Sequence, residues 1–245
     1  MNAEPMNVLA IEWSTEVGSM ALLSGEQLVA AQTMKPDARR VPALFDAIQD
    51  LMRQAGWAWP DIAAYAAGCG PGRYSGMRVA VVAAEHLALP GKQPVYGISS
   101  GVALAHAVAA THPERQWIAV VGDARRGQWW WGLFAVSASV CTLLSGWQLV
   151  TAPDHSNQAT APSLDQALAS HGVAADEVLW TSAEWSRLDQ AWTAWCDARG
   201  VAPAIVDQAP TAEWVGRLAG RHGSAGTAII PPRPIYIHPP VAQAP

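Results

Sequence analysis

The sequence has few charged residues, and this scarcity limits what the protein can bind alone. Asp, Glu, Lys and Arg make up 14% of the 245 residues, whereas soluble proteins usually contain about 25%. The formal net charge is -5, and the densest basic clusters are Arg39-Arg40 and Arg125-Arg126. A stand-alone nucleic-acid binder usually has a broad basic field. We therefore expect any nucleic-acid contact to be shared with a more basic partner.

Cysteine and histidine are too sparse for a disulfide framework or a metal site. The three cysteines, Cys69, Cys141 and Cys196, lie far apart in sequence, so we expect free thiols. No two of the seven histidines have the His-x-x-x-His spacing of a helical zinc motif, and His106 and His112 are six residues apart. Zinc ligands on one helix face lie four residues apart. We therefore expect no bound metal, which argues against a metallopeptidase.

Long apolar runs are also missing. The most apolar long stretch, residues 79–89, contains Glu85 and His86, and it is shorter than the roughly 20 residues that cross a bilayer. Residues 1–5 contain Glu4 and lack the basic and apolar regions of a secretory signal. We therefore predict a cytoplasmic protein with no membrane contact.

The order of the apolar segments predicts an α/β fold. Three strand-like runs open the chain, and short turn signals separate the second from the third. Helical spacing of apolar residues then alternates with short apolar runs. Three strands followed by crossover helices indicate a mixed sheet flanked by helices, as in the ribonuclease-H-like lobe of actin-like proteins. The predicted strands are 7–12, 18–23, 27–32, 62–68 and 95–98, and the predicted helices are 41–55, 76–89 and 99–110.

A second lobe is predicted from Trp117 onward. Three consecutive tryptophans at 129–131 must alternate between the faces of a strand, so at least one ring belongs to the core. Thr211 is placed to cap the last helix, and residues 235–237 are predicted to add an edge strand. The predicted strands are 117–123, 129–136, 140–144 and 148–151, and the predicted helices are 184–199 and 211–221. The predicted domains are an N-terminal ribonuclease-H-like lobe (1–112), a degenerate actin-like lobe (113–229) and a Pro-rich tail (230–245).

The segment richest in functional signals is residues 70–78, with the sequence GPGRYSGMR. Its glycines, Gly70, Gly72 and Gly76, permit positive φ and close backbone approach. Ser75 is placed to cap the following helix. Such a loop can hold an anion at a helix N-terminus or contact a partner. It can equally be a tight turn without a ligand, since no phosphate-loop Lys-Ser/Thr pair follows.

The helix predicted at residues 76–89 is apolar on nearly every side. Arg78 lies in its first turn, where a cation opposes the helix dipole by about 0.3–1 kcal/mol, so a bound anion, a partner's acidic group or a local carboxylate must compensate it. Steps of 100° place Arg78 and Glu85 on one narrow polar stripe. We predict an interface built from this helix and helix 41–55, which forms a homodimer when the chain is alone. The predicted interface residues are Val81, Val82, Glu85, Leu89, Leu44 and Ile48.

Four segments together resemble the TsaB (YeaZ) family. They are residues 9–15 (LAIEWST), 70–78, 123–131 (DARRGQWWW) and 234–237 (PIYI). In the same order, they are similar to the family patterns Asp-Thr-Ser-Thr, Gly-Pro-Gly-Ser-Phe-Thr-Gly-x-Arg, Asp-Ala-Arg-x-Gly-x-x-Tyr-Trp and Pro-x-Tyr-x-Arg. The resemblance implies a two-lobed actin-like fold without an active site. It also implies a subunit that pairs with a TsaD-like catalytic subunit, works with a TsaE-like ATPase, and helps to form threonylcarbamoyladenosine beside the anticodon of tRNA.

The chain departs from these patterns at several positions, so it resembles a divergent member. Glu12 stands where the family pattern has Asp, and Trp13 replaces a small polar residue. Arg73 and Tyr74 replace Ser-Phe, and His238 replaces the late Arg.

The alternative function is an active actin-like-fold ATPase or small-molecule kinase. Such enzymes need a phosphate-binding turn in each lobe and a carboxylate that organises magnesium. Residues 12–15 contain no glycine and include the bulky Trp13, and Asp123-Ala124-Arg125 lacks the glycine expected of a second phosphate turn. We therefore expect a pseudoenzyme subunit with no catalytic residue and no tightly bound cofactor. At most, we expect weak binding of ATP or ADP.

Overall fold

The computed structural model describes residues 5–34, 40–138, 140–153, 161–221 and 229–238, without the side chains of 40–42. The strands are β1 (Asn7–Glu12), β2 (Ser19–Ser24), β3 (Gln27–Thr33), β4 (Ala64–Gly68), β5 (Val95–Ile98), β6 (Trp117–Arg125), β7 (Gln128–Ser137), β8 (Val140–Leu143), β9 (Gln148–Thr151), β10 (Val178–Ser182), β11 (Ile205–Asp207) and β12 (Ile229–Ile230). The α-helices are α1 (Arg40–Ala55), α2 (Tyr74–Ala88), α3 (Ser100–Thr111), α4 (Leu164–Ala169), α5 (Trp185–Asp197) and α6 (Ala212–Gly220).

The chain divides into two compact units. The first comprises Met1–Leu104 and Pro210–Ile235, and the second comprises Ala105–Ala209 and Tyr236–Pro245. This division differs from the predicted boundary after residue 112, and it also moves residues 210–229 out of the predicted second lobe. The reason is that α6 contacts β1 and β2, so this late helix completes the core of the first unit.

The first unit has a mixed six-stranded sheet in the order β12-β5-β4-β1-β2-β3. β1 pairs antiparallel with β2 and parallel with β4, and β4 pairs parallel with β5. Side chains alternate along β1. Leu9 and Ile11 therefore join the core cluster that includes residues of α1 and α2. Ala10 faces the other way, toward α6, where a Cβ on Gly216 would lie 3.2 Å from the Ala10 Cβ. The predicted helix-flanked mixed sheet is confirmed.

The second unit has a sheet in the order β11-β10-β6-β7-β8, with β9 also paired to β7. The tryptophans of β7 alternate between its faces as predicted. Trp129 and Trp131 belong to a core cluster with Trp180, and the Trp131 and Trp180 ring centroids are 6.5 Å apart. Trp130 instead makes an edge contact with Trp147, with centroids 5.5 Å apart. All three consecutive rings are buried, so their role here is packing.

Two local predictions have opposite outcomes. Thr211 caps α6 as predicted, because its Oγ1 accepts a hydrogen bond from the Trp214 N–H at 3.4 Å. The predicted edge strand at 235–237 is wrong. Ile229–Ile230 forms the edge strand beside β5, and the Ile235 N–H donates instead to the Cys69 carbonyl at 2.7 Å. Within the described residues, no helix is both long and apolar enough to cross a membrane.

Candidate functional site

The Gly-rich loop between β4 and α2 is tied to the start of α3. Gly70 has a φ of +91°, and its N–H donates to Ser100 Oγ at 2.9 Å. Its carbonyl accepts from Ser99 Oγ and from the Ser100 N–H, both at 2.8 Å. The loop is therefore held through both the backbone N–H and the carbonyl of Gly70, in a backbone conformation that glycine adopts without steric cost.

The other two glycines of the motif allow the turn after β1 to lie against the loop. The Arg73 N–H donates to the Ser14 carbonyl at 2.7 Å. A Cβ on Gly72 would lie 2.3 Å from that carbonyl oxygen, and a Cβ on Gly76 would lie 1.8 Å from the Trp13 carbonyl oxygen. Real Cβ atoms do not approach backbone oxygens so closely. These contacts favour the interpretation of the loop as a tight turn whose glycines serve backbone packing.

The prediction that Ser75 caps α2 is wrong. The N-cap residue is Arg73, and its side chain makes no capping hydrogen bond. Ser75 lies in the first turn and is exposed, because α2 begins at Tyr74, earlier than the apolar spacing predicted. The Arg73 guanidinium instead lies 3.3 Å from the Glu16 carboxylate.

Arg78 is compensated by an aromatic side chain. Its Nη1 donates to the Tyr74 hydroxyl at 3.0 Å, and its guanidinium carbon lies 5.1 Å from the centre of the Tyr74 ring. This is a cation–π geometry between residues four apart on one helix. The contact supplies a local partner that apolar spacing does not reveal, because it depends on α2 beginning at Tyr74.

Glu12 is fully buried at the end of β1. Its Oε1 accepts from the Ser14 N–H at 2.5 Å, and its Oε2 accepts from Ser100 Oγ at 2.6 Å. A Cβ on Gly68 would lie 1.7 Å from Oε2, so the carboxylate fills the space above the end of β4. Burial raises the pKa of Glu12, and the hydrogen bonds from Ser100 and Ser14 only partly oppose that rise. Both carboxylate oxygens are thus engaged inside the protein.

Three of the six predicted interface residues are buried in the core of the first unit. Leu44 and Ile48 are fully buried and Val81 is 4% exposed, and all three belong to the core cluster of the first unit. Their prediction as interface residues is corrected, because α1 and α2 pack against the sheet through these side chains. The 100° steps placed Val81 beside the polar stripe, but the first unit's own core covers that flank.

The remaining predicted residues lie on one exposed line along α2 and its C-cap. Val82 is 48% exposed and Leu89 is 68% exposed, and Glu85 is exposed between them. Tyr74 and Arg78 continue the same line toward the start of the helix. Tyr74, Arg78, Val82, Glu85 and Leu89 follow the spacing of three and four residues that defines one helix face, and we refer to them as the α2 stripe.

The third motif forms a fixed turn in the second unit. Asp123 Oδ1 accepts from the Arg125 N–H at 2.7 Å, and Oδ2 lies 2.8 Å from the Arg125 guanidinium. The Asp123 N–H donates to Glu184 at 3.2 Å, and burial raises the pKa of Glu184 above its usual value. His238, from the last motif, has Nε2 within 2.6 Å of the Ala124 carbonyl oxygen. The structure therefore places His238, at the position of the late Arg in the family pattern, beside the third motif.

The sheet of the first unit, with antiparallel β2 and β3 beside parallel β1, β4 and β5 and helices on both faces, defines an actin-like, ribonuclease-H-like α/β protein. The family model for TsaD, tRNA N6-adenosine threonylcarbamoyltransferase, matches residues 39–144. The tRNA threonylcarbamoyladenosine biosynthesis protein TsaB of Escherichia coli is 30% identical over 126 residues, which are 51% of this chain and 54% of that protein. TsaB of Haemophilus influenzae is 30% identical over 125 residues, 50% of this chain and 51% of that protein. The chain thus spans about half the length of these curated relatives.

Two solved structures share the fold over nearly the whole chain. An uncharacterized protein from Pseudomonas aeruginosa with similarity to peptidase YEAZ has a TM-score of 0.72 at 24% identity, covering 95% of this chain and 100% of that chain. YeaZ from Pseudomonas aeruginosa has a TM-score of 0.70 at 22% identity, covering 94% and 99%. The chain is thus similar in sequence to TsaB proteins over about half of its length, and it shares its fold with the two Pseudomonas aeruginosa structures.

Proposed function

We propose that the chain is a non-catalytic subunit of the complex that forms threonylcarbamoyladenosine in tRNA, where it binds and activates a TsaD-like catalytic subunit. The observation that carries the proposal is the α2 stripe. Val82 and Leu89 expose apolar side chains whose full burial would contribute about 1.5–3 kcal/mol each. Arg78 and Glu85 offer opposite charges beside these apolar anchors, which gives a partner both binding energy and register.

The surroundings of Glu12 support the proposal that this chain does not itself hydrolyse ATP or transfer a phosphoryl group. A carboxylate that organises magnesium and water must present free oxygens, whereas both oxygens of Glu12 accept hydrogen bonds from Ser14 and Ser100. Trp13 is mostly buried, and a Cβ on Gly18 would lie 2.5 Å from its ring. Indole therefore occupies the turn where an active enzyme of this fold needs a phosphate loop. These contacts favour the proposed role over the ATPase or kinase alternative.

The proposed partners are those that the resemblance to TsaB proteins implies. A TsaE-like ATPase joins the complex, and tRNA is the shared substrate in the cytoplasm. In isolation the same α2 stripe pairs two copies of the chain, because an isologous contact covers the exposed apolar side chains on both. The homodimer and the TsaD-like complex therefore compete for one surface.

Co-purification tests the proposal. The full chain is expressed with the TsaD-like subunit of the same cell, and the complex is analysed by sizing chromatography. Val82→Glu combined with Leu89→Glu should abolish association, because two carboxylates would be buried against apolar groups. The melting temperature should change by no more than about 2 °C, since both side chains are already exposed.

Val29→Glu is the matched control. Val29 is 41% exposed on β3, so the substitution adds one carboxylate, half the charge added by the double variant, to a valine about as exposed as Val82 but away from α2. This variant should associate as the wild type does. Association of the double variant at wild-type strength, or no association by the wild type, would contradict the proposal.

A further inference from the structure

The turn between β6 and β7 has backbone angles that arginine rarely adopts. φ is +66° at Arg125, +57° at Arg126 and +68° at Gly127. The strand register shifts between Asp123 and Arg125, and Arg125 pairs with Gln128, so Arg126 and Gly127 form a two-residue loop. Asn-Gly and Asp-Gly usually occupy such loops, because the left-handed conformation is unfavourable for other residues by about 1–2 kcal/mol each. Two consecutive arginines there are outliers that folding alone does not favour.

Side chains from three parts of the second unit hold this turn. Asp123 binds both the backbone N–H and the guanidinium of Arg125. Glu184, just before α5, accepts the N–H of Asp123. His238, near the end of the described chain, contacts the carbonyl of Ala124. A turn constrained at three consecutive residues keeps its shape without a ligand, which is the condition for a pre-organised binding group.

The turn exposes positive charge on an acidic protein. The Arg125 side chain is 67% exposed, and Arg126 is exposed as well. The ion pair of Arg125 with Asp123 uses Nη1, whereas a guanidinium has five N–H donors in all. With Arg187 beside Glu184, the cluster has three arginines and two carboxylates, hence one net positive charge (3 − 2), while the whole chain has -5.

We propose that Arg125 and Arg126 bind phosphate groups of an RNA backbone, so that the chain contacts tRNA directly. The planar guanidinium matches phosphate oxygens in a bidentate geometry. Such contacts fix the register of a nucleic acid without reading its bases, which suits a subunit that positions tRNA for another protein. The choice of RNA rests on the proposed function. The direct contact goes beyond it, since the low positive charge of the sequence predicts only a shared contact.

The test measures fluorescence anisotropy of a labelled unmodified tRNA transcript with the full chain, from about 50 mM salt upward. Arg126→Asn should weaken binding roughly five- to tenfold and reduce the slope of log affinity against log salt by about 0.7–0.9, the value for one lost phosphate contact. It should also raise the melting temperature by about 2 °C, because Asn tolerates the left-handed conformation. Arg126→Lys should lose less affinity than Arg126→Asn and should keep the wild-type salt slope, because lysine retains the charge but not the bidentate geometry. Arg53→Gln, which removes an exposed arginine of α1, is the charge-matched control and should bind as the wild type does.

If Arg126→Asn raises the melting temperature and weakens RNA binding, the arginine serves phosphate binding and not the stability of the turn. Unchanged RNA affinity in both Arg125→Asn and Arg126→Asn, or no RNA binding by the wild type, overturns the inference. If these variants bind RNA normally but lose the TsaD-like subunit, the turn contacts an acidic protein surface and the RNA assignment is wrong. The RNA assay uses the chain alone, so its failure leaves co-purification through the α2 stripe intact and is distinguishable from failure of the proposed function.

Discussion

At the scale of a single residue, Glu12 has a structural role, because its carboxylate accepts hydrogen bonds from within the protein. The family pattern has Asp at this place, and the longer side chain here reaches Ser100 on α3 as well as the following N–H of Ser14. Two hydrogen bonds satisfy the carboxylate, but desolvation still dominates its pKa, which is raised. The side chain thus links β1 with the start of α3. Burying it costs more free energy when the carboxyl group is ionised than when it is protonated.

Replacing Glu12 with Gln should make stability less dependent on pH. Because the folded-state pKa lies above the ordinary 4.5, the wild type is most stabilised by this group below that pH and loses the contribution as pH rises through the raised pKa. Melting temperatures of the two proteins should be similar near about pH 4, and the variant should be a few degrees more stable near about pH 8. A wild type that gains stability over the variant as pH rises would show that the hydrogen bonds outweigh desolvation.

The thiol of Cys69, beside the Gly-rich loop, should be chemically inert in the folded protein. Burial raises its pKa to about 12, so only about one thiol in 10⁴ is ionised at pH 8. Iodoacetamide followed by mass spectrometry should label Cys196, which is partly exposed, before Cys69. Both should react in denaturant. Rapid labelling of Cys69 without denaturant would contradict the burial of its thiol.

At the scale of an element, the start of α2 depends on one close backbone contact. Gly76→Ala should destabilise the protein by about 1–3 kcal/mol, because the new methyl group would overlap the Trp13 carbonyl oxygen and the helix would have to move. Thermal melting checks this, with an expected loss of about 2–12 °C for a chain of this length. Ser75→Ala is the neighbouring control. It should melt like the wild type, since Ser75 is exposed and does not cap the helix.

Elements with clear periodicity were predictable from the sequence. The opening strands and the two helices that follow have apolar residues at spacings of two or of three and four, and the structure agrees within a few residues. The middle of the second unit was missed. Val178–Ser182 forms β10, buried between two parallel neighbours, and a short run buried on both faces has no alternation to detect. Ser163 and Gln166 form a capping box at α4, and their spacing of three residues is the sequence signal of that helix start.

The sequence predicts which residues form the candidate site better than it predicts what those residues contact. The motif residues, including Gly72 and Gly76, were identified because glycine is informative wherever it clusters. The partners were not, since the Tyr74 contact of Arg78 depends on where α2 begins. The burial of Val81 depends on how the helix is rotated against its own sheet. A helical pattern with few charges leaves that rotation undetermined.

At the scale of the whole molecule, the first unit is built from both ends of the chain. Residues of α6 return to the sheet that begins with β1, and Gly216 lets this helix lie close to Ala10 and Leu23. No local pattern reveals such a return, because α6 has an ordinary amphipathic sequence. Glu12 has a structural role through its bonds to Ser14 and Ser100, and we propose that the α2 stripe binds a protein partner and that the Arg125-Arg126 turn binds RNA.

The rate of threonylcarbamoyladenosine formation on unmodified tRNA tests whether the chain activates a TsaD-like subunit through the α2 stripe. The TsaD-like subunit and its other partners are assayed without this chain, with the wild type, with Val29→Glu, and with the Val82→Glu, Leu89→Glu double variant. We expect at least about a tenfold higher rate with the wild type and with Val29→Glu, corresponding to about 1.4 kcal/mol of activation free energy, and the basal rate with the double variant. A full rate without the chain, or full activation by the double variant, would contradict the account.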